Sequence, residues 1–367
     1  MSEMNLPGRL GNPELSFEDD PRADPRIAGV MAMMARAEGV KPPASDASYE
    51  QCLEYCVALE REGEMSHSLL LEMMPDFDEV ESTVETIDGV DGNKITLFIE
   101  RPKNQTGVLP GMVHMHGGGM VLEKAADPTY VRWRKSLAQA GMVIVGVEFR
   151  NGGGELGNYP FPGGLNDCAT ATQWTYANKE RLDISTIITS GESGGGNLCI
   201  ATALKAHKEG WSNQINGVYS MCPYISGSYL NPPPELSSLV ENNTYMLDGG
   251  MMANLVRVYD PNGEHTANPL AWPLHVTDDD LSGLPPHIIS VNELDPLRDE
   301  GLAYYRKLMR AGVSAVARTV HGTPHAGDIA FVDIAPEVTA ETLRSIHGFA
   351  NSMTGSFSKL HCGIFLN

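Results

Sequence analysis

The chain has 367 residues, 42% of them hydrophobic, and its 47 acidic and 26 basic residues give a formal charge of −21. This length is enough for one large α/β domain with an accessory layer, or for two domains. The acidic balance disfavours nucleic acid and anionic membranes as partners and indicates a well-solvated surface, with adaptation to a salty environment as the alternative.

The N-terminal residues lack the basic start and apolar core of a signal peptide, and no run has the apolar length of a membrane span. We therefore expect a cytoplasmic protein that does not insert into membranes. The six cysteines are scattered, and their spacing suits neither a common zinc site nor a disulfide framework. Reduced thiols are the simplest interpretation of Cys52, Cys56, Cys168, Cys199, Cys222 and Cys362.

Two helical patterns come first, at residues 27–38 and 48–63. Ser48 can cap the second helix, which has one mostly apolar face. The period then changes to that of extended chain at residues 80–86 and 94–100, with two Asp-Gly pairs between them. Because Asp-Gly favours tight turns, a β-hairpin is predicted there.

From residue 108 onward, apolar strands alternate with helices. Continuous apolar strands separated by helices predict a doubly wound, mostly parallel sheet that is covered on both faces. Together with the hairpin, this sheet has about eight strands. The predicted strands are 108–115, 142–149, 184–189, 215–221, 287–291 and 315–320, and the helices are 129–140, 165–181, 197–209 and 297–310.

One segment breaks this alternation. Residues 225–285 hold three consecutive prolines and a helical pattern at 246–258, and they are too many for an ordinary connection. We interpret them as an insertion that packs with the N-terminal residues to form a helical cap. The expected division is 1–75 for the first part of the cap, 76–224 for the first part of the core, 225–285 for the cap insertion and 286–367 for the rest of the core.

The sequence Gly191-Glu192-Ser193-Gly194-Gly195 stands between a predicted strand and a predicted helix. A Gly-x-Ser-x-Gly in that context is typical of a nucleophile elbow, a turn so tight that glycines have to flank the serine. The turn holds the serine hydroxyl clear of its own backbone. Ser193 is therefore the predicted nucleophile.

Three further motifs also follow predicted strands, at the sheet edge where a doubly wound fold places its ligand crevice. A serine hydroxyl needs a base, and His325 can take its proton while Asp295 holds the imidazole in the required tautomer. The attacked carbonyl oxygen becomes an oxyanion that needs backbone donors. The candidate donors are the N–H groups of Gly117, Gly118, Gly119 and Gly194, and His116 is expected to brace their loop.

Each assignment has rivals within a few residues. His321 precedes His325 by four positions and could serve only to orient the loop. Asp295 competes with Glu293, Asp299 and Glu300, of which Asp299 fits better as an acidic residue in the first turn of a helix.

Metal and nucleotide chemistry have weaker support in the sequence. A zinc site built from His114, His116, His321 and His325 would need a His-Glu-x-x-His helix or an equivalent, and the sequence has none, so no metal or other cofactor is predicted. The run at 152–157 fits Gly-x-Gly-x-x-Gly, but Pro160 and Pro162 prevent the helix that a dinucleotide site requires. A loop bordering the cleft is the favoured interpretation.

Taken together, the motifs HGGG (116–119), GESGGGNL (191–198), NELDPLRDEG (292–301) and HGTPHAG (321–327) resemble those of the hormone-sensitive-lipase-like family of esterases. The segments at 147–151 and 159–168 also resemble that family, and the similarity extends over residues 80–350. The order of nucleophile, acid and base is that of the α/β-hydrolase fold. Two departures are Met120, where a bulky aromatic residue is common, and Glu192, where many relatives have Asp.

The resemblance implies an α/β-hydrolase core with a helical cap and a carboxylesterase that cleaves short- to medium-chain acyl esters without a cofactor. It places the catalytic triad on Ser193, Asp295 and His325 and the oxyanion donors within Gly117–Gly119 and Gly194. It also makes a homodimer an expectation, since relatives often form dimers. An amidase, lactonase or thioesterase on the same fold stays open. A non-catalytic small-molecule receptor is disfavoured because the related gibberellin receptor lacks the histidine that this chain has at His325.

Overall fold

The computed structural model describes residues 8–34 and 39–355, and its centre is one sheet of eight strands. The strands lie in the order β1-β2-β4-β3-β5-β6-β7-β8, and all neighbours from β4 to β8 are parallel. The predicted mostly parallel sheet is thus confirmed. The strands are β1 (Val80–Asp88), β2 (Lys94–Pro102), β3 (Leu109–Met115), β4 (Val143–Glu148), β5 (Ile184–Glu192), β6 (Gly217–Met221), β7 (His287–Asn292) and β8 (Ala315–Val320).

The first two strands form the predicted hairpin. Strands β1 and β2 pair antiparallel, the turn between them is closed by a 2.8 Å hydrogen bond from Gly89 N–H to Asn93 C=O, and β2 pairs antiparallel with β4. This antiparallel edge leaves the six parallel strands, whose carboxyl ends share one side of the sheet, to carry the candidate site.

Helices cover both faces of the sheet, as the continuous apolar strands predict. Along β4, the side chains of Val143, Val145 and Val147 face one apolar core and Ile144 faces the other. The α-helices of the described residues are α1 (Pro25–Met34), α2 (Tyr49–Glu72), α3 (Pro128–Gln139), α4 (Gly163–Ala177), α5 (Gly194–Glu209), α6 (Ser238–Glu241), α7 (Gly249–Tyr259), α8 (Asp278–Leu281), α9 (Arg298–Arg310), α10 (Gly327–Ala330) and α11 (Pro336–Ser352).

Several helix limits differ from the predicted ones. Helix α2 begins as expected after Ser48, whose hydroxyl accepts from Gln51 N–H at 3.2 Å, but it continues past Gly63 to Glu72. A glycine inside a helix costs only about 1 kcal/mol, so it does not end one by itself. Helix α5 starts at Gly194 instead of 197, and α11 was not predicted at all. Residues 35–38 of the first predicted helix and Cys362 lie outside the described residues.

The two segments assigned to the cap touch each other through α2 and α7. Asn254 Nδ2 on α7 donates to the Cys52 carbonyl on α2 at 3.4 Å, and Arg257 donates to the Ala47 carbonyl at 2.6 Å. Leu255 on the same helix lies against the loop that follows β3. The domain limits 1–75, 76–224, 225–285 and 286–367 remain a prediction.

A third, smaller apolar cluster joins the beginning of the described chain to loops near its end. Phe17, Ile27 and Ala28 pack with Tyr245, Leu294, Phe331 and Ala335. Asp24 N–H also donates to the Gly322 carbonyl at 2.9 Å. The N-terminal segment therefore rests against the loops after β7 and β8. Within the described residues, no helix combines the length and apolar character that crossing a membrane requires.

Candidate active site

Ser193 occupies a sharp turn between β5 and α5. Its backbone has φ 57° and ψ −117°, a conformation that non-glycine residues rarely adopt. The turn is held by hydrogen bonds from Ser193 N–H to the Met221 carbonyl at 3.0 Å and from Tyr224 N–H to the Ser193 carbonyl at 3.1 Å. A side chain at Gly195 would overlap the Met115 carbonyl of β3. The glycine that the elbow motif requires is therefore explained by close packing of α5 on the sheet.

Asp295 and His325 are brought together from the loops after β7 and β8. His325 Nδ1 lies 2.8 Å from Asp295 Oδ2, and the Asp295 residue is fully buried. The other carboxylate oxygen accepts from Leu297 N–H at 2.9 Å, which fixes the carboxylate plane. An Nδ1–H donated to this carboxylate leaves the lone pair of Nε2 free to accept a proton.

The charge of Asp295 also changes the basicity of the imidazole. Burial alone would lower the pKa of His325, but the adjacent Asp295 carboxylate and, after it, Cys222 outweigh burial and raise that pKa well above the usual range. The pair therefore stabilises the imidazolium form, as a base that holds a proton in mid-reaction requires.

The rival residues lie in other surroundings. His321 is 76% exposed in its side chain and pairs with Glu293, Nδ1 to Oε2 3.0 Å. Asp299 binds Arg298 and accepts from Ser238 N–H at 2.8 Å, so it joins α9 to α6. Glu300 is buried and accepts from Ile225 N–H at 2.6 Å. The structure thus separates the three rival acids from His325 by giving each a different partner.

Cys222 lies in the same cluster and was missed by the sequence analysis. One ligand-type atom from each of Cys222, Asp295 and His325 lies within 4.8 Å of the others. Among the described residues this group has metal-ligand spacing, and a zinc ion bound there would occupy the imidazole that a base needs. Among residues 8–34 and 39–355, which the structure describes, no hydrogen bond joins Ser193 Oγ to His325. Such contacts are often long in unliganded sites.

The loop after β3 supplies the candidate oxyanion donors. Gly118 and Gly119 have φ of 79° and 62°. The position of a Cβ on Gly194 lies 2.6 Å from Gly119 N, so the two backbones meet. Among the described residues, none accepts a hydrogen bond from the N–H of Gly118, Gly119 or Gly194. The N–H groups of Gly119 and Gly194 lie close together, and Gly118 adds a third free donor in the same loop, which is what an oxyanion needs.

A Cβ on Gly117 would point toward a buried polar group. The position of a Cβ there lies 2.7 Å from the hydroxyl of Tyr130 and 3.3 Å from Glu123 Oε2. Tyr130 donates a hydrogen bond to Glu123, and burial raises the pKa of Glu123 to about 7. Sequence analysis singled out neither residue, because no local pattern connects them to the glycine loop.

His116 and His114 lie behind the same loop. His116 is fully buried and stacks on Phe149 with 4.1 Å between ring centroids, and its Nδ1 lies 3.2 Å from the Gly117 carbonyl. Burial lowers the pKa of His116 to about 3, so the ring is neutral and suited to bracing the loop. His114 Nε2 lies 3.1 Å from Glu192 Oε2 in the core.

The glycine run at 152–157 forms a loop, and the next helix, α4, begins only at Gly163. Gly152 N–H donates to the Met120 carbonyl at 2.9 Å and Gly153 N–H donates to the Val121 carbonyl at 3.1 Å. The run therefore borders the loop after β3, which carries the candidate oxyanion donors, and it lacks the helix that would hold a pyrophosphate.

Comparison with known proteins shows the fold and the family of the chain. Residues 112–328 match the model of a family described as having the alpha/beta hydrolase fold. The chain is similar to the structure of brefeldin A esterase, a bacterial homologue of human hormone-sensitive lipase, with 41% identity, 95% of this chain and 99% of that chain covered, and a TM-score of 0.88. The structure of esterase Est22 gives 36% identity, coverage of 91% and 99%, and a TM-score of 0.80. Carboxylesterase NlhH of Mycobacterium tuberculosis is 30% identical over 284 residues, 75% of this chain and 83% of the relative.

Proposed function

Because the chain belongs to the hormone-sensitive-lipase-like esterases of the α/β-hydrolase fold, we propose that it is a carboxylesterase that uses Ser193, His325 and Asp295 on short- to medium-chain acyl esters. The observation that carries the assignment of residues is the buried 2.8 Å contact between His325 Nδ1 and Asp295 Oδ2. Cys222, in the same cluster, directly follows Met221, whose carbonyl accepts from Ser193 N–H. Each of the three proposed catalytic residues follows a strand on the same edge of the sheet.

The first half of the proposed reaction acylates the serine. Ser193 Oγ attacks the ester carbonyl carbon while His325 Nε2 takes the hydroxyl proton. The carbonyl oxygen becomes an oxyanion that accepts from the N–H groups of Gly118, Gly119 and Gly194. When the tetrahedral intermediate collapses, the bond to the alcohol oxygen breaks and His325 returns the proton to that oxygen.

The second half releases the acid. Water loses a proton to His325 and attacks the acyl carbon, the same three N–H groups hold the second oxyanion, and the bond to Ser193 Oγ breaks. His325 then gives its proton back to Ser193. Asp295 stays ionised throughout and stabilises the imidazolium in both halves.

The acyl-chain range and the cellular setting belong to the same proposal. Met120 and Leu255 are buried, apolar and adjacent to the oxyanion loop, which supports a compact acyl site. The described cysteines are all buried free thiols, in keeping with a reducing compartment such as the cytoplasm. A homodimer remains a prediction that sedimentation of the purified chain would check.

Hydrolysis of p-nitrophenyl esters from acetyl to palmitoyl tests the proposal. We expect a short-chain optimum for the wild type, and Ser193→Ala and His325→Ala should each lose at least about a thousandfold in kcat while keeping the melting temperature. Labelling by a fluorophosphonate should occur in the wild type and be absent in Ser193→Ala. A folded Ser193→Ala variant that retains turnover would overturn the assignment, and a wild type inert on every ester would favour an amidase or a receptor.

A further inference from the structure

We propose that Glu60, on the cap helix α2, is a positioning residue for the oxyanion hole, so that the placement of the cap controls the rate of the chemical step. The inference rests on the proposed esterase function. It arises from the hydrogen bonds that join α2 to two loops beside Ser193, and Glu60 itself need not touch the substrate.

The two loops run side by side. The oxyanion loop and the turn after it, residues 117–124, receive hydrogen bonds from the glycine loop, residues 152–155, at the Met120 and Val121 carbonyls. Beyond Val121 this direct backbone pairing stops. A displacement of the glycine loop would therefore also displace the segment with Gly118 and Gly119, which carries candidate oxyanion donors.

Glu60 bridges the two loops where the direct pairing ends. Its Oε1 accepts from Glu123 N–H at 2.8 Å and its Oε2 accepts from Glu155 N–H at 2.7 Å. A side chain at Gly154 would overlap the Glu60 carboxylate, so glycine is what permits this approach. Two charge-assisted bonds from one carboxylate hold the loops at a fixed spacing, because such bonds are shorter and stronger than neutral ones.

Glu123 transmits this constraint to the oxyanion loop. Its backbone has φ 70°, an unfavourable conformation for a residue with a Cβ, which the surrounding bonds have to maintain. Asn151 Nδ2 donates to its carbonyl at 2.6 Å, so the peptide units on both sides of Glu123 are held. Its side-chain Oε2 lies 3.2 Å from the position of a Cβ on Gly118. A shift of this turn would therefore reach the donors directly.

A second set of contacts joins helix α2, the turn at 123–124 and the glycine loop, next to the Glu60 hydrogen bonds. Lys124 forms an ion pair with Glu155 of the glycine loop, and its Nζ lies 3.9 Å from Glu64 Oε1, one turn along α2 from Glu60. These groups are more exposed, and exposed ion pairs contribute little. Glu60 is half-buried and accepts from two backbone N–H groups. Its hydrogen bonds, more than the exposed ion pair, should therefore fix the position of the two loops.

A positioning role of Glu60 predicts a specific pattern of changes in kcat and KM. Both halves of the proposed mechanism pass through an oxyanion, so looser donors should lower kcat whichever half is slower. Because both halves use the same donors, their rates should fall together, and KM should change little. A contact that only held the cap for substrate entry would give the opposite pattern.

The test compares Glu60→Ala and Glu60→Gln with Glu54→Ala, which removes an exposed carboxylate from the same helix. Steady-state kinetics would use a p-nitrophenyl ester, and the inhibition constant would be measured for a trifluoromethyl ketone with the same acyl chain. That ketone adds to the serine and places a stable oxyanion in the hole. Hydrogen exchange would follow the amides of Glu123 and Glu155 directly.

We expect Glu60→Ala to lose about tenfold in kcat, to keep KM within about twofold and to weaken the ketone by the same factor as kcat. Exchange at Glu123 and Glu155 should be faster, and Glu54→Ala should match the wild type. Glu60→Gln keeps one accepting oxygen, so its kcat and exchange rates should lie between those of the wild type and Glu60→Ala. If the alanine variant does not fold, the comparison of Glu60→Gln with the wild type tests the proposal.

Unchanged kcat and exchange in an active protein, or a rise in KM alone, would overturn the positioning role. A wild type that is inactive on the ester would instead contradict the proposed function. The exchange rates of the Glu123 and Glu155 amides would still show whether Glu60 holds the two loops.

Discussion

The two halves of the candidate site are held in place by different means. On the side of β7 and β8, Asp295 and His325 form one buried contact between side chains, each anchored in a loop directly after its strand. On the side of β3, the donors belong to the backbone, and their position depends on Glu123, Tyr130, the glycine loop and a helix of the cap.

This difference indicates where each half is vulnerable. In the proposed mechanism, the acid–base pair should fail when the side chain of His325 or Asp295 is removed, because each has its own role. The proposed oxyanion donors are backbone groups, so that half should fail only when its backbone moves.

The largest effect is expected for Asp295→Asn. The amide keeps the shape but favours the wrong imidazole tautomer, and kcat should fall by roughly a thousand- to ten-thousandfold. Stopped-flow or discontinuous assays of the purified variant would measure it, with melting temperature as the control. Glu293→Gln, which alters the pair around His321, should remain active; if it lost as much as Asp295→Asn, the choice of acid would be wrong.

Gly119→Ala should disrupt the oxyanion half of the site and lower kcat by about a hundredfold. The added methyl carbon would come 2.7 Å from Leu255 Cδ1, and the backbone there has φ 62°, which disfavours a side chain. The loop would have to move. Gly63→Ala, in open space on α2, is the matched control. Adding Leu255→Ala to Gly119→Ala should restore part of the loss; complete recovery would show that crowding alone, and not backbone strain, is responsible.

The pH dependence should report the acid–base half alone. His325 acts as a base only when neutral, and its pKa is raised, so kcat/KM should fall as pH drops through that raised value and rise on the alkaline side. In Asp295→Asn the residual activity should have its acidic limb at lower pH, since the raising charge is gone. An acidic limb at the same pH in both proteins would show that another group controls it.

The smallest effect concerns a buried acid behind the acid–base pair. Burial raises the pKa of Glu300 to about 7, so between about pH 4.5 and 7 the folded state holds a proton that the unfolded state has lost. Stability should therefore decline as pH rises through this window. Glu300→Gln keeps the oxygen that accepts from Ile225, Ser226 and Tyr229 and should flatten the decline. Urea unfolding of both proteins at pH 5 and 8 measures this, with Glu81→Gln on exposed β1 as control; parallel declines in Glu300→Gln and wild type would refute it.

The sequence predicts the sheet well and also points to candidates for the acid–base half, for a physical reason. Continuous apolar strands and an elbow motif are local patterns, and parallel strands necessarily bring their carboxyl ends together. Ser193, Asp295 and His325 could therefore be named as candidates from the sequence, and their catalytic roles stay a prediction. The eight strands and the hairpin were confirmed, with limits that differ by a few residues.

The supports of the oxyanion half could not be found in this way. Glu60, Glu123 and Tyr130 lie on three separate elements, and an isolated acid on an amphipathic helix looks like any solvated residue. Cys222 was not singled out either, although it directly follows β6 at the edge of the sheet that carries the candidate site. Helix α11 is different: Pro336 in its first turn and the spacing of Ile346, Phe349 and Ala350 were available and would have predicted it.

The small cluster around Phe17 and Ile27 has a consequence for how the protein is made. Its partners Leu294, Phe331 and Ala335 follow it by most of the described chain, as does Gly322, which receives the hydrogen bond of Asp24. Until those residues have been synthesised, Phe17 and Ile27 can form only part of their cluster, in which Tyr245 is the earlier partner. The complete cluster therefore closes only after β7 and β8 exist, and it depends on contacts between distant parts of the chain.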